Sequence, residues 1–257
     1  MQEMPPKEDV ALLKKKFKTA LNSYGIKRKD KRKINAALEM LEEKSLKHYI
    51  HSLRVALLAP QIASLLKLDE KALFFAGALH DIGKIMIPKK ILQKTTGLSP
   101  KEKEIMAMHP IYSYEILREL GLLFSAEISL RHHRFQGWKY PKRIPKYEGP
   151  MSNETIMKAR FCARMLAIAD VYVSATNRPA KRYDWKKPLS REEAVAMLKR
   201  KFVSQKNIIG EIYAAGIFEA KNSVRPVQTR RPVMRPARNI IIQHGPGAQI
   251  FTRMRRR

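Results

Sequence analysis

Apolar residues recur at helical spacing along most of this chain, and no run shows the strict alternation of apolar and polar residues that is typical of a half-buried strand. Val10, Leu13 and Phe17 would form the apolar stripe of one amphipathic helix. Residues 45–66 and 165–172 indicate further helices that are apolar enough to lie in a core. We therefore predict an all-α fold.

Capping residues mark several of the predicted helix ends. Ser99-Pro100-Lys101-Glu102 combines an N-cap serine, a proline at the first helical position and a glutamate three residues after the serine. Residues 190–193 repeat the serine and glutamate spacing of this capping box. We expect Asp30 to cap a helix that ends near Lys44, and Gly121 to end another helix.

An adjacent His80-Asp81 pair closes the apolar helical run within residues 77–84. Imidazole nitrogen and carboxylate oxygen both bind iron, manganese, zinc and nickel, and an unpaired buried carboxylate is costly. Taken alone, the pair is also explained by a histidine hydrogen-bonded to its neighbour at a helix end. Lys84 adds a positive charge at the same place, where it could meet a phosphate.

The remaining histidines favour the metal interpretation. Six of the seven histidines lie between residues 48 and 133, on or beside predicted helices. Asp170 lies in another apolar run, which indicates a cation or a hydrogen-bond donor beside it. The six histidines are His48, His51, His80, His109, His132 and His133.

The order of these residues resembles the HD superfamily of metal-dependent phosphohydrolases, and more closely its HD-GYP branch. The similarity runs from about residue 45 to about residue 218. It implies an HD-type helical bundle that hydrolyses a phosphodiester, such as the cyclic dinucleotide cyclic di-GMP. The resemblance rests on His51, His80-Asp81, His109-Pro110, His132-His133 and Asp170, followed by Arg178-Pro179 and residues 190–194.

The resemblance also implies two divalent transition-metal ions, with iron or manganese favoured over a lone zinc. One ion would be held by His51, His80, Asp81 and Asp170, and Asp81 would bridge to a second ion held by His109, His132 and His133. The expected catalytic residues are Asp81 and Lys84, and the expected substrate-binding residues are Lys84, Arg178 and Tyr140.

Some positions depart from the HD-GYP pattern near the predicted ligands. Lys47 stands where the family often has a metal-binding glutamate, four residues before His51. Because an ammonium would repel a third ion, we expect two ions at most. We expect the neighbouring His48 to face solvent. Val173 stands in place of the second acid that commonly follows the last ligand.

The segment 134–141 also departs from the family pattern. It is one residue shorter and lacks a glutamate, and only Tyr140-Pro141 of the Gly-Tyr-Pro signature is kept, with Lys139 in place of the glycine. A nucleotide, another cyclic nucleotide or an RNA end therefore stays open as the substrate. The alternative to an enzyme is a catalytically weak metal-binding sensor or scaffold whose basic extensions bind nucleic acid.

Positive charge is the second unusual feature of the chain. It has 257 residues, with 52 Lys and Arg against 23 Asp and Glu, for a formal net charge of +29. Residues 1–34 hold eleven basic and four acidic residues, and residues 221–257 hold ten basic and no acidic residues. We predict a basic N-terminal helical extension (1–34), an HD/HD-GYP-like domain (35–220) and a basic, disordered tail (221–257).

The basic tail is expected to attract a nucleic acid or another acidic partner, because neutralised phosphates release counterions. The alternative is that residues 221–257 form only a solvated extension. The N-terminus does not resemble a signal peptide, and no apolar run reaches the roughly 18 residues that a membrane span needs. We therefore expect no membrane span and a cytoplasmic protein. Cys162 is the single cysteine, so no disulfide can form within the chain.

Overall fold

The computed structural model describes residues 7–94, 96–136, 139–145, 151–177 and 188–219. Every regular element within these ranges is helical, which confirms the predicted all-α class. The α-helices are α1 (Lys7–Ser23), α2 (Arg28–Lys44), α3 (Leu46–Leu65), α4 (Glu70–Leu79), α5 (Lys89–Leu92), α6 (Pro100–Met106), α7 (His109–Glu119), α8 (Leu123–Arg131), α9 (Asn153–Asn177), α10 (Arg191–Lys201) and α11 (Lys206–Ala214). Short 3-10 helices cover Ile82–Met86, His132–Phe135, Val203–Gln205 and Ile217–Glu219.

Helix α3 lies at the centre of the bundle because its apolar residues supply two hydrophobic clusters. Leu53 packs in a cluster with α1, α2, α4, α7 and α8, and Val55 packs in a second cluster with α4, α8, α9, α10 and α11. Helix α4 crosses α3 so closely that a Cβ at Gly77 would lie 2.9 Å from Cα of Ala56. Glycine at position 77 therefore permits the close α3–α4 contact that places His51 beside His80.

The N-terminal helix belongs to the first of these clusters. Phe17 and Leu21 of α1 are buried, and the ring of Phe17 stacks on Phe74 of α4 with centroids 5.2 Å apart. Ile34 of α2 is also buried in the same cluster. The division of the chain at residue 34 stays a prediction, and residues 221–257 lie outside the described part of the chain.

Most predicted helix ends are observed, and one is wrong. Complete capping boxes begin α6 at Ser99 and α10 at Ser190, and Gly121 adopts φ 75° after α7. Asp30 does not cap α2, because α2 already begins at Arg28. Asp30 lies instead in the first turn, where a carboxylate is stabilised by the positive end of the helix dipole.

Within the described ranges, none of the helices combines the length and the apolar character that crossing a membrane requires.

Candidate metal centre

Five helices bring the seven predicted ligands together. Helix α3 carries His51, α4 ends immediately before the His80-Asp81 pair, α7 begins at His109, the 3-10 helix after α8 carries His132-His133, and α9 carries Asp170. Six of the seven are buried, and His133 is partly exposed. Because the contributing elements are helix ends or closely packed helices, the arrangement is fixed by the core and not by loops.

Three of the histidines are oriented by the same local hydrogen bond. Nδ1 of His80 lies 2.8 Å from the carbonyl oxygen of Gly77, and Nδ1 of His109 lies 2.7 Å from that of Met106. Nδ1 of His132 lies 2.5 Å from the carbonyl oxygen of Ser129. A carbonyl oxygen only accepts, so each Nδ1 must carry the proton. Each Nε2 is left with the lone pair that a metal ion requires.

The Nε2 atoms of His80 and His132 are buried and make no hydrogen bond to the part of the chain that the structure describes. Nδ1 of His133 is also buried and makes no hydrogen bond to a described residue. An unsatisfied buried polar atom costs about 1–3 kcal/mol, and most such atoms in proteins have a partner. A divalent cation at this place would satisfy these nitrogens, so the side chains present fit a metal centre.

Asp81 joins the histidines into one site. Its Oδ1 lies 3.1 Å from Nε2 of His109, and its Oδ2 lies 3.5 Å from Nε2 of His80. The side chains form two groups of candidate ligands, and Asp81 belongs to both. Within each group, all the ligand atoms lie within 4.8 Å of one another. The groups are His51, His80 and Asp81, and Asp81, His109, His132 and His133.

Asp170 extends the first of these groups. Its Oδ1 lies 3.0 Å from Nε2 of His51. Its Oδ2 accepts a hydrogen bond of 3.0 Å from Nε2 of Gln136. Both carboxylate oxygens of Asp170 therefore have a partner, and Gln136 holds the oxygen that His51 does not contact.

The electrostatics keep the carboxylates ionised. Burial alone would raise the pKa of Asp81, but the ammonium of Lys84, 2.6 Å from Oδ2, and the imidazoles of His80 and His109 hold it well below its usual range. Burial would also raise the pKa of Asp170, but the hydrogen bond and charge of His51, together with the charges of His80 and His133, hold it well below its usual range.

The same environment keeps the buried histidines neutral. Burial, reinforced by the neighbouring His80, lowers the pKa of His132 from 6.5 to about 3. Burial and the neighbouring His132 lower the pKa of His133, and burial lowers that of His109. Ionised carboxylates and neutral imidazoles are the forms that bind a divalent ion.

A buried serine of α7 connects this helix by hydrogen bonds to the residues at the start of the 3-10 helix Ile82–Met86. Ser113 Oγ donates a hydrogen bond of 2.6 Å to the carbonyl oxygen of His80 and accepts one of 2.9 Å from the backbone N–H of Gly83. A Cβ at Gly83 would lie 2.1 Å from the carbonyl oxygen of His109. This contact holds the end of α4, with Asp81, against the start of α7.

Tyr140 is buried against the site. Its ring stacks on that of His133, with centroids 4.2 Å apart and an interplanar angle of 26°. The predicted substrate contact of Tyr140 stays a prediction. Arg178, the other predicted substrate residue besides Lys84, lies outside the described residues.

The expectation that His48 faces solvent is wrong. His48 is 7 % exposed, and its Nδ1 lies 2.8 Å from Oγ of Ser45. Since α3 packs on several sides, the face that carries His48 is buried as well. Lys47, in contrast, is exposed in the first turn of α3, and Val173 is buried in the apolar core.

Sequence reasoning missed three kinds of supporting group. These are the amide of Gln136, the hydroxyl of Ser113 and the carbonyl groups that orient the histidines. For the carbonyls a signal was available, because each of the three histidines lies at a helix boundary three residues after its acceptor. No local pattern marks Gln136 or Ser113, since their partners are distant in sequence.

Residues 48–174 match the HD domain family, so this stretch of the chain is an HD domain, which is a metal-dependent domain. The chain is 34 % identical over 191 residues to a cyclic di-GMP phosphodiesterase of Thermotoga maritima, covering 71 % of this chain and 46 % of that protein. It is 32 % identical over 169 residues to the 3'3'-cGAMP-specific phosphodiesterase 2 of Vibrio cholerae, covering 63 % of this chain and 30 % of that protein. The chain thus spans less than half the length of these relatives.

The fold has a counterpart among solved structures. The HD domain of the L. monocytogenes phosphodiesterase PgpH, solved in complex with cyclic-di-AMP, superposes with a TM-score of 0.51 at 18 % identity. The match covers 71 % of this chain and 93 % of that chain. At this identity the likeness concerns the fold alone.

Proposed function

We propose that this chain is a metal-dependent phosphodiesterase that opens the ring of a cyclic dinucleotide, with cyclic di-GMP as the first candidate. The observation that carries the proposal is the convergence of five buried or partly buried histidines on Asp81, with Asp170 beside His51 and with unsatisfied nitrogens on His80 and His132. The relatives from Thermotoga maritima and Vibrio cholerae, both named as cyclic-dinucleotide phosphodiesterases, support the substrate class.

Two divalent ions are proposed for this centre, with iron or manganese as the metal. The two groups of candidate ligands that share Asp81 support two ions, and the five imidazoles beside two carboxylates are a ligand set that suits these metals. When bound, a pair of divalent ions lowers the pKa of water and neutralises charge on a phosphate.

The protein's own residues hold the protons and charges of the site in place. The carbonyls of Gly77, Met106 and Ser129 fix the tautomers of three histidines, so no ring has to reorient. Lys84 is held at Asp81 by an ion pair of 2.6 Å, with its side chain 11 % exposed. Its ammonium is therefore positioned to stabilise the negative charge that accumulates on phosphate oxygens during attack.

Substrate identity is tested by hydrolysis assays with anaerobically purified, metal-loaded protein. Cyclic di-GMP, 3'3'-cGAMP, cyclic di-AMP and the generic diester bis(p-nitrophenyl) phosphate form the panel. We expect cleavage of the generic diester and faster linearisation of one cyclic dinucleotide, and loss of both activities in Asp81→Ala. Fully metal-loaded protein that cleaves none of them would overturn the proposal in favour of a sensor or scaffold.

The basic tail is proposed to bind a nucleic acid. Residues 221–257 carry ten basic residues and no acidic residue, which supports association with a polyanion. Truncation after residue 220 is expected to lower the dependence of nucleic-acid affinity on salt and to leave hydrolysis of a small diester unchanged. The same salt dependence with and without the tail would contradict this role.

A further inference from the structure

Four basic residues form a compact patch on the first two turns of α2. Arg28 and Arg32 are four residues apart, and so are Lys29 and Lys33, so the two pairs lie side by side on neighbouring positions of the helix surface. All four side chains are exposed. We call these four residues the α2 basic patch.

The part of the chain that the structure describes does not neutralise the α2 basic patch. None of its members forms an ion pair with a residue that the structure describes. Like charges four residues apart destabilise a helix by about 0.2–0.5 kcal/mol per pair. In contrast, Lys14 of α1 is paired with Glu42 at 2.6 Å and Lys94 with Glu102 at 2.6 Å.

The patch continues onto α1. Nζ of Lys31 donates a hydrogen bond of 2.8 Å to Oδ1 of Asn22, which ties the first turn of α2 to the end of α1. Lys18 is exposed one turn before Asn22 on α1, and Lys27 is exposed immediately before the patch. The α1–α2 hairpin therefore carries further positive charges besides the patch, with Asp30 as the acidic residue in the first turn of α2.

We propose that the α2 basic patch binds the sugar-phosphate backbone of a nucleic acid, independently of base sequence. A row of exposed cations suits closely spaced phosphates, whose neutralisation releases counterions. Base stacking is not expected to contribute, because the aromatic side chains of the hairpin, Phe17 and Tyr24, pack on Phe74.

An anionic membrane is the less suitable partner. A helix that lies on a membrane inserts large apolar side chains while its basic face meets the lipid headgroups. Of the large apolar residues of α2, Ile34, Leu38 and Leu41 are 1 %, 3 % and 0 % exposed, and Met40, seven residues beyond Lys33, is the single exposed one. The patch would therefore contribute charge without insertion, which suits a nucleic acid better than a bilayer.

The patch is separate in sequence from the candidate metal centre. The HD domain match begins at residue 48, and the first candidate ligand is His51. None of the four patch residues is a candidate ligand, so nucleic-acid binding at α2 is proposed as a property additional to the proposed hydrolysis.

The test is a fluorescence anisotropy titration of the full chain with a labelled duplex DNA and a duplex RNA of the same sequence, over a range of salt concentrations. The patch variant replaces Arg28, Lys29, Arg32 and Lys33 by Gln. The control variant removes the same charge from four exposed basic residues outside α1 and α2; these are Lys101, Lys103, Arg200 and Lys206.

If the patch contacts phosphates, the slope of log K against log salt should fall by roughly 3 to 4 in the patch variant, at about 0.9 per phosphate contact on duplex DNA. The slope should change by less than about 1 in the control variant. Both variants should keep wild-type thermal unfolding and hydrolysis of bis(p-nitrophenyl) phosphate. Equal losses of slope in the two variants would overturn the proposal. A second contrary result would be that the wild type binds phosphatidylserine vesicles more tightly than both duplexes and that the patch variant loses this binding.

Discussion

Oδ1 of Asp81 lies 3.1 Å from Nε2 of His109, although Asp81 follows the end of α4 and His109 begins α7. The other oxygen of Asp81 faces Lys84 and His80. One carboxylate thus connects residues that belong to separate helices. The site depends on the relative placement of α4 and α7, which is the feature most open to test by mutation.

Gly83→Ala is expected to displace α7 from the end of α4. The added Cβ would lie 2.1 Å from the carbonyl oxygen of His109 and 2.5 Å from the backbone nitrogen of Ser113, and both are backbone atoms that cannot rotate away. We expect a loss of about 2–3 kcal/mol in the free energy of unfolding, together with weaker metal binding. Gly97→Ala is the control, since nothing lies within 4 Å of its Cβ. Equal stability of both variants in urea would contradict this packing.

Lys84→Ala is expected to lower hydrolysis of a phosphodiester by roughly 10²–10³, the usual loss for one group that stabilises charge in the transition state. The variant should keep its fold and its metal, because Lys84 is not among the candidate ligands. Lys89→Ala removes an exposed lysine and serves as the control. A rate equal to that of the wild type would show that Lys84 acts only through its ion pair with Asp81.

The candidate ligands could be predicted from the sequence because histidines and aspartates in apolar helices indicate a cation, and because their order resembles that of the HD-GYP family, which implies how they would divide between two ions. The capping boxes at Ser99 and Ser190 could also be predicted from the sequence, because each one joins a serine to a glutamate only three residues later. The burial of His48 could not be predicted from such a local pattern. It depends on α3 packing on several sides, and the helical pattern does not show how many neighbours a helix has.

Other supporting contacts depend on tertiary structure. Gln136 meets Asp170 only because the 3-10 helix after α8 packs on α9. The stacking of Tyr140 on His133 also arises from tertiary packing, and the retained Tyr140-Pro141 of the family signature does not indicate it. A sequence lists the groups that can bind a metal, but the packing of helices decides which side chains orient them.

Tyr140→Ala is expected to weaken metal binding by roughly 2- to 10-fold, because the stacked ring that fixes His133 is removed and such a contact is worth about 0.5–1.5 kcal/mol. Tyr140→Phe keeps the ring and should bind metal as the wild type does. Metal titration under anaerobic conditions measures the difference. If Tyr140 contacts only the substrate, Tyr140→Ala will keep the wild-type metal affinity.

The metal-free protein is expected to lose stability as the pH falls. Below pH 6.5 the unfolded chain binds a proton at His132, whereas the folded chain does not until about pH 3. The unfolded state therefore gains protons first, and stability declines through this window by up to about 1.4 kcal/mol per pH unit for each such histidine. The lowered pKa values of Asp81 and Asp170 act in the same direction at still lower pH.

Urea unfolding of the metal-free protein from pH 6.5 to about pH 4 measures this dependence. His132→Gln removes one of the titrating groups, so its stability should fall less steeply with pH than that of the wild type. An identical slope in the two proteins would contradict the burial of a neutral His132.

The metal content of Asp81→Asn is the most direct test of a two-ion centre built around Asp81. Asparagine preserves the shape of the side chain but lacks the charge and the second carboxylate oxygen, and Asp81 belongs to both groups of candidate ligands. Asp69→Asn is the matched control, because Asp69 lies at the opposite end of α4, as its N-cap. Elemental analysis of anaerobically purified protein should find about two ions per chain in the wild type and in the control, and almost none in Asp81→Asn. A single ion in the wild type that Asp81→Asn retains would contradict a centre built around Asp81.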